Sequence, residues 1–156
     1  MSNLKEKLLL ILCVLLIPTI VFADIRDKKI GAGLLIGEPT GFTFKSWISE
    51  TEAVDASIAW SFNSNEKITL QVDLLRHKLN LISLNRGKVP LYYGLGSRLT
   101  VIEGSSSALG IRGVGGIEYI FDTVPVELFL EIGPVMQIVP GTVMDISGGF
   151  GIRYYY

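Results

Sequence analysis

The chain has little of several things a soluble enzyme uses. Of its 156 residues one is a cysteine, Cys13, and one a histidine, His77. Without Cys and His in clusters there is no zinc-type ligand spacing, and no cofactor is expected. Cys13 sits in the apolar run of residues 8–17, after Leu12, where a lipid-modified cysteine would follow a small residue. The charged fraction, 19%, falls below the roughly 25% usual for soluble domains, and no basic stripe marks a nucleic-acid surface. After the first two dozen residues no apolar run is long enough to cross a bilayer as a helix, which takes about 20 residues. Apolar residues that form no spanning helix must fill a core or meet lipid as strands.

The beginning of the chain reads as an export leader. Lys5 and Lys7 make a basic start diluted by Glu6; the apolar run follows, then Pro18 and Val21-Phe22-Ala23 before Asp24. Compact residues three and one before a cut suit signal peptidase, so cleavage after Ala23 is expected. The apolar run is short for an anchor. The expected division is residues 1–23 as signal peptide and 24–156 as one domain. That domain carries a small excess of acid and no cysteine, so disulfides cannot stabilise it.

Residues 24–156 alternate between apolar and polar side chains, the period of a strand. Turn-rich segments at 37–41, 49–52, 63–65, 85–87, 104–107, 122–125 and 140–141 separate eight strand candidates. These fall near 29–37, 40–48, 53–62, 67–77, 89–101, 108–121, 125–136 and 143–156. One face of each is bulky and apolar, as with Ile58, Leu74, Ile117, Leu130 and Ile152. The other carries small residues, among them Gly31, Gly33, Gly94, Gly96, Gly110, Gly116, Gly149 and Gly151. It also carries charges of both signs: Lys45, Arg98, Arg112 and Arg153 against Asp55, Asp73, Glu118, Glu127, Glu131 and Asp145.

A solvated surface has no need of glycine, whereas the interior of an eight-stranded barrel is only just wide enough for side chains. The small, charged face is therefore expected inside, where opposite charges must pair, and the apolar face in lipid. The acids outnumber the bases, so some must reach water or hold a proton. Phe42, Trp60 and Phe62 fall near one rim, and Tyr93, Tyr119 and Phe121 near the other, as aromatic girdles do. Pro134 interrupts the seventh segment, and since a closed barrel has no free edge it is expected beyond the membrane, at the outer rim.

The leader, the eight segments and a terminal Gly-Phe-Gly-Ile-Arg-Tyr-Tyr-Tyr together resemble the small eight-stranded bacterial outer-membrane β-barrels, the OmpA/OmpX-like transmembrane domain. The resemblance covers nearly all of residues 24–156. It implies an all-β, antiparallel, up-and-down transmembrane barrel of a didermal bacterium, exported through the periplasm, monomeric, with both termini periplasmic. It further implies that Gly151, Tyr154 and Tyr156 belong to a signal read by the barrel-assembly machinery. Such barrels carry long outer loops; here 37–41, 63–66, 102–107 and 137–142 are all short, and the longest connection, 78–88, falls on the periplasmic side.

Function is expected to be structural or interactive, with outer-membrane lipid as partner and a filled interior rather than an open pore. Two alternatives stand beside it. Lipid A deacylases are barrels of similar size, but they carry Ser two places after the catalytic His, where this chain has Leu79. His77 is expected to be a polar residue at a periplasmic strand end. A soluble periplasmic barrel binding an apolar ligand is the other alternative. Gly113-Val114-Gly115-Gly116 lies within a strand and is no phosphate loop. Glu127 and Glu131 lack the open cleft of a glycosidase pair.

Overall fold

The computed structural model describes residues 30–61, 67–79, 82, 84, 86–102 and 106–156. The expected leader, with Cys13, and the girdle residue Phe62 lie outside the described residues. Eight strands follow one another: β1 (Ile30–Glu38), β2 (Thr40–Trp47), β3 (Glu52–Ser61), β4 (Lys67–Lys78), β5 (Leu91–Ile102), β6 (Ala108–Ile120), β7 (Val126–Val139) and β8 (Val143–Tyr155). Each pairs antiparallel with the next, and β8 returns to β1, where Gly31 faces Tyr155 and Gly37 faces Gly149. Closure satisfies the backbone edges that an open sheet would leave bare. No helix among the described residues is long and apolar enough to cross a membrane.

The alternation read from the sequence sorts inside from outside, with the polarity inverted relative to a soluble protein. Leu95 is 68% exposed, Ile132 65% and Ile146 69%, while Lys45, Arg112, Glu118 and Arg153 are each 1% exposed. The inward apolar core is small: Ala53, Leu75, Tyr92 and Val114, with Trp47 against it.

The interior makes room for three large rings because a glycine stands opposite each of them in the ladder. Tyr92 faces Gly116, Phe129 faces Gly151 and Tyr155 faces Gly31. A Cβ on Gly116 would lie 2.3 Å from the Tyr92 ring, and one on Gly151 2.4 Å from Phe129. The aromatic ring covers the bare backbone of its neighbour, and the missing side chain gives the ring its room.

Pro134 falls inside the seventh strand, as the expected segment 125–136 has it. It lies within β7, paired with Ile146 on one side and packed against Gly113, 3.6 Å from where that residue's Cβ would be, on the other. The β6–β7 ladder keeps one register from Arg112↔Val135 to Gly115↔Ile132 but lacks the pairs between them; its register shift lies between Leu109 and Gly110. Proline has no N–H to give the ladder, and the glycines Gly113 and Gly133 let the two backbones approach there.

Candidate functional site

The interior charges fall into paired clusters. Nearest the end that carries Ile30 and Tyr155, Lys45 donates to Glu118 and, at 3.2 Å, to Glu127. Glu127 also accepts from the Tyr155 hydroxyl at 2.5 Å and from Arg153 Nη1 at 2.6 Å. Arg153 Nη2 donates to Asp55, and Nε and Nη2 donate to Thr43 Oγ1 at 3.1 and 2.9 Å. The Arg153 guanidinium stacks 3.7 Å from the centre of the Phe129 ring. A delocalised, planar cation suits this place, because it forks between two carboxylates while lying flat on an aromatic face.

A second cluster is centred on Arg112. It donates to Asp73, to Glu131 at 2.5 Å and to Ser147 at 3.3 Å. Tyr92 joins the clusters: its hydroxyl donates to Glu131 at 3.3 Å and its ring lies 5.4 Å from that of His77. The two arginines also resolve a conflict in the ladder. Asp55 and Asp73 stand directly opposite each other on β3 and β4, a destabilising pairing of like charges. Each is taken by a different guanidinium.

Two of the expected charges stand apart from these clusters. Arg98, half-buried, donates through Nε to Gln71 at 2.7 Å, and Gln71 donates on to Ser57 at 3.0 Å. Asp145, expected among the paired interior acids, is exposed near the far end of β8, where its carboxylate accepts from the backbone of Ile146. With Arg98 and Lys67 it lines a cavity of about 280 Å³ in that mouth. The alternation aims Asp145 inward, but it lies beyond the packed cross-section.

His77 is the penultimate residue of β4, at the strand end as expected, but it does not face water. β4 continues through it, and the alternation that buries Asp73 and Leu75 buries His77 to 3% exposure. Its Nε2 lies 3.3 Å from Glu118 and its Nδ1 3.2 Å from the Thr51 carbonyl oxygen. Trp47 stacks on it at 4.3 Å and lies under the Lys45 ammonium at 4.5 Å. Among the described residues, neither ring nitrogen of His77 contacts a serine hydroxyl. Sequence reasoning also passed over Thr43, Gln71 and Tyr92 as members of the network, although their parity with Lys45, Asp73 and Arg98 marks them as inward.

Of the girdle residues, Phe42 and Trp60 touch at 5.6 Å near the end away from the termini. Tyr93 is exposed at the other end, where Tyr119 meets Phe121 edge-on at 4.6 Å and Tyr154 meets Tyr156 at 6.0 Å. Phe121 lies past the end of β6 and lines a mouth cavity of about 560 Å³ together with Trp47 and Tyr155. In β8, Gly151 faces inward under Phe129 and Tyr154 faces outward; Tyr156, just past the strand, is exposed.

No protein-family model matches the chain, and no curated protein sequence matches it either. Among solved structures it is similar to the N-terminal β-barrel domain of Pseudomonas aeruginosa OprF, with a TM-score of 0.57 and 11% identity over 83% of this chain and 96% of that one. It is also similar to Neisserial surface protein A, with a TM-score of 0.50 and 14% identity over the same shares of the two chains. At such identities the likeness is one of fold: this chain has the closed eight-stranded barrel that those proteins share.

Proposed function

We propose that the chain is an integral outer-membrane barrel of structural or interaction type, its interior filled by charged and small residues rather than open as a pore. The observation that carries this reading is the inversion of polarity. The wall presents Leu, Ile and Phe outward, and among the described residues the interior holds the fully buried cations Lys45, Arg112 and Arg153 against five buried acids. Water would not select that arrangement; a bilayer does. A soluble ligand-binding barrel needs an apolar interior, and this interior is occupied by ion pairs. For a lipid-modifying enzyme, His77 is buried and engaged on both ring nitrogens.

Protein folded in detergent should migrate differently on gels before and after boiling, and should give no large, steady conductance in planar bilayers. A chain that stays soluble without detergent overturns the membrane reading. A steady conductance of porin size overturns the filled interior alone. In this reading the termini face the periplasm, and the 151–156 segment engages the assembly machinery through Tyr154 and Tyr156. Replacing both with Ser should lower insertion in cells; unchanged insertion would remove that role.

A further inference from the structure

We infer that the outer wall holds a site for an anionic phospholipid, at the rim that carries the chain termini. The inference rests on the membrane reading above and goes beyond it. Among the described strand residues, the outward positions carry basic side chains only at Arg76 and Lys78, both on β4. They are adjacent outward neighbours two residues apart, so their side chains share one patch of wall. Each has Tyr93 beside it: Arg76 is its ladder partner, and the Lys78 ammonium lies 5.9 Å from the Tyr93 ring centre. The third charge in the patch is Glu52, the ladder partner of Arg76 on β3, 3.5 Å from it. Both partners of that pair are well exposed, so the glutamate leaves the guanidinium open to a further ligand. Two cations against one acid leave a net positive patch at the level of a tyrosine girdle.

Directly along the wall from this patch runs a groove of about 530 Å³. Its lining is apolar, from Ile48, Leu74, Tyr93 and Leu95, with the small Ala53 and Gly94 between. Arg76 and Glu52 stand at its edge. The volume lies within the roughly 300–1,000 Å³ of ordinary ligand sites. An acyl chain along Leu74 and Leu95 would set a phosphate diester against Arg76 and Lys78, with one negative charge meeting one net positive charge. A zwitterionic headgroup adds a cation of its own and loses this complementarity.

Native mass spectrometry of the folded protein, released from micelles containing equal phosphatidylglycerol and phosphatidylcholine, tests the site. Wild-type protein should retain phosphatidylglycerol preferentially. Each cation removed, in Arg76→Gln and Lys78→Gln, should lower that preference about fivefold, as expected for a basic residue at an anionic lipid surface. Glu52→Gln should raise it. Equal retention of the two lipids by the wild type, or an unchanged preference in the Gln variants, would overturn the site while leaving the barrel intact. If Arg76→Gln fails to fold, the Glu52→Gln and Lys78→Gln variants carry the test in opposite directions. A chain that never enters detergent micelles removes the membrane reading and the lipid site together.

Discussion

Arg153 shows how single residues hold this molecule together. Its guanidinium serves Asp55, Glu127 and Thr43 from one buried position. Removing it would leave Asp55 without its counter-charge and Glu127 with Lys45 alone. Arg153→Ala should therefore cost about 3–5 kcal/mol, the usual penalty for stranding a buried charge. Urea titration of protein folded into vesicles, followed by tryptophan fluorescence, measures it. Adding Asp55→Asn and Glu127→Gln to the same chain should return most of the loss, because the cost lies in the stranded charges. Glycine makes the complementary point. A Cβ on Gly31 would lie 2.8 Å from the Tyr155 ring, whose hydroxyl Glu127 holds in place. Gly31→Ala should cost about 1–3 kcal/mol by overpacking. In a Tyr155→Ala background that cost should disappear, a coupling that a double-mutant cycle reads directly.

At the scale of the strand, position is what matters. Leu95 lies in the middle of β5 and faces out. On a soluble protein an exposed Leu→Arg change is close to neutral. In a bilayer it should cost about 2–4 kcal/mol near the midplane. Leu95→Arg in vesicles, by the same titration, separates the two settings. The strands themselves were legible in the sequence, since period two runs through all eight and turn residues punctuate them. Their bounds coincide or shift by up to three residues, the largest shift being β7, which runs on to Val139. Pro134 was legible as a residue of the seventh segment, but Gly113, the glycine of β6 that it packs against, becomes its neighbour only once the register is known. His77 stands near the end of β4 as expected, but its partner Glu118 lies on β6, across the barrel, where parity along one strand does not reach. The charged residues of the interior could be named from parity, but their partners could not. Lys45 and Glu118 lie on β2 and β6 and meet across the barrel, a relation that alternation along one strand does not encode.

At the scale of the whole molecule, the barrel solves two problems with one pattern. Closure satisfies the backbone, and alternation sends ion pairs inward and aliphatic side chains outward. Tyr93, Tyr154 and Tyr156 stand near the rim, where an amphipathic ring has both apolar and polar surroundings, while Phe44 and Phe150 stand on the wall between the rims. The two mouths differ: the one near the termini is lined by Trp47, Phe121 and Tyr155, the other by Arg98, Lys67 and Asp145. The central claim is that lipid, not water, covers the outward face. The most direct measurement places a spin label at single cysteines replacing Leu74, Leu95, Ile132 and Phe150, in protein reconstituted into phospholipid vesicles. The account predicts collision with dissolved oxygen exceeding collision with a water-soluble nickel chelate at all four positions. Greater access to the nickel chelate there would contradict it.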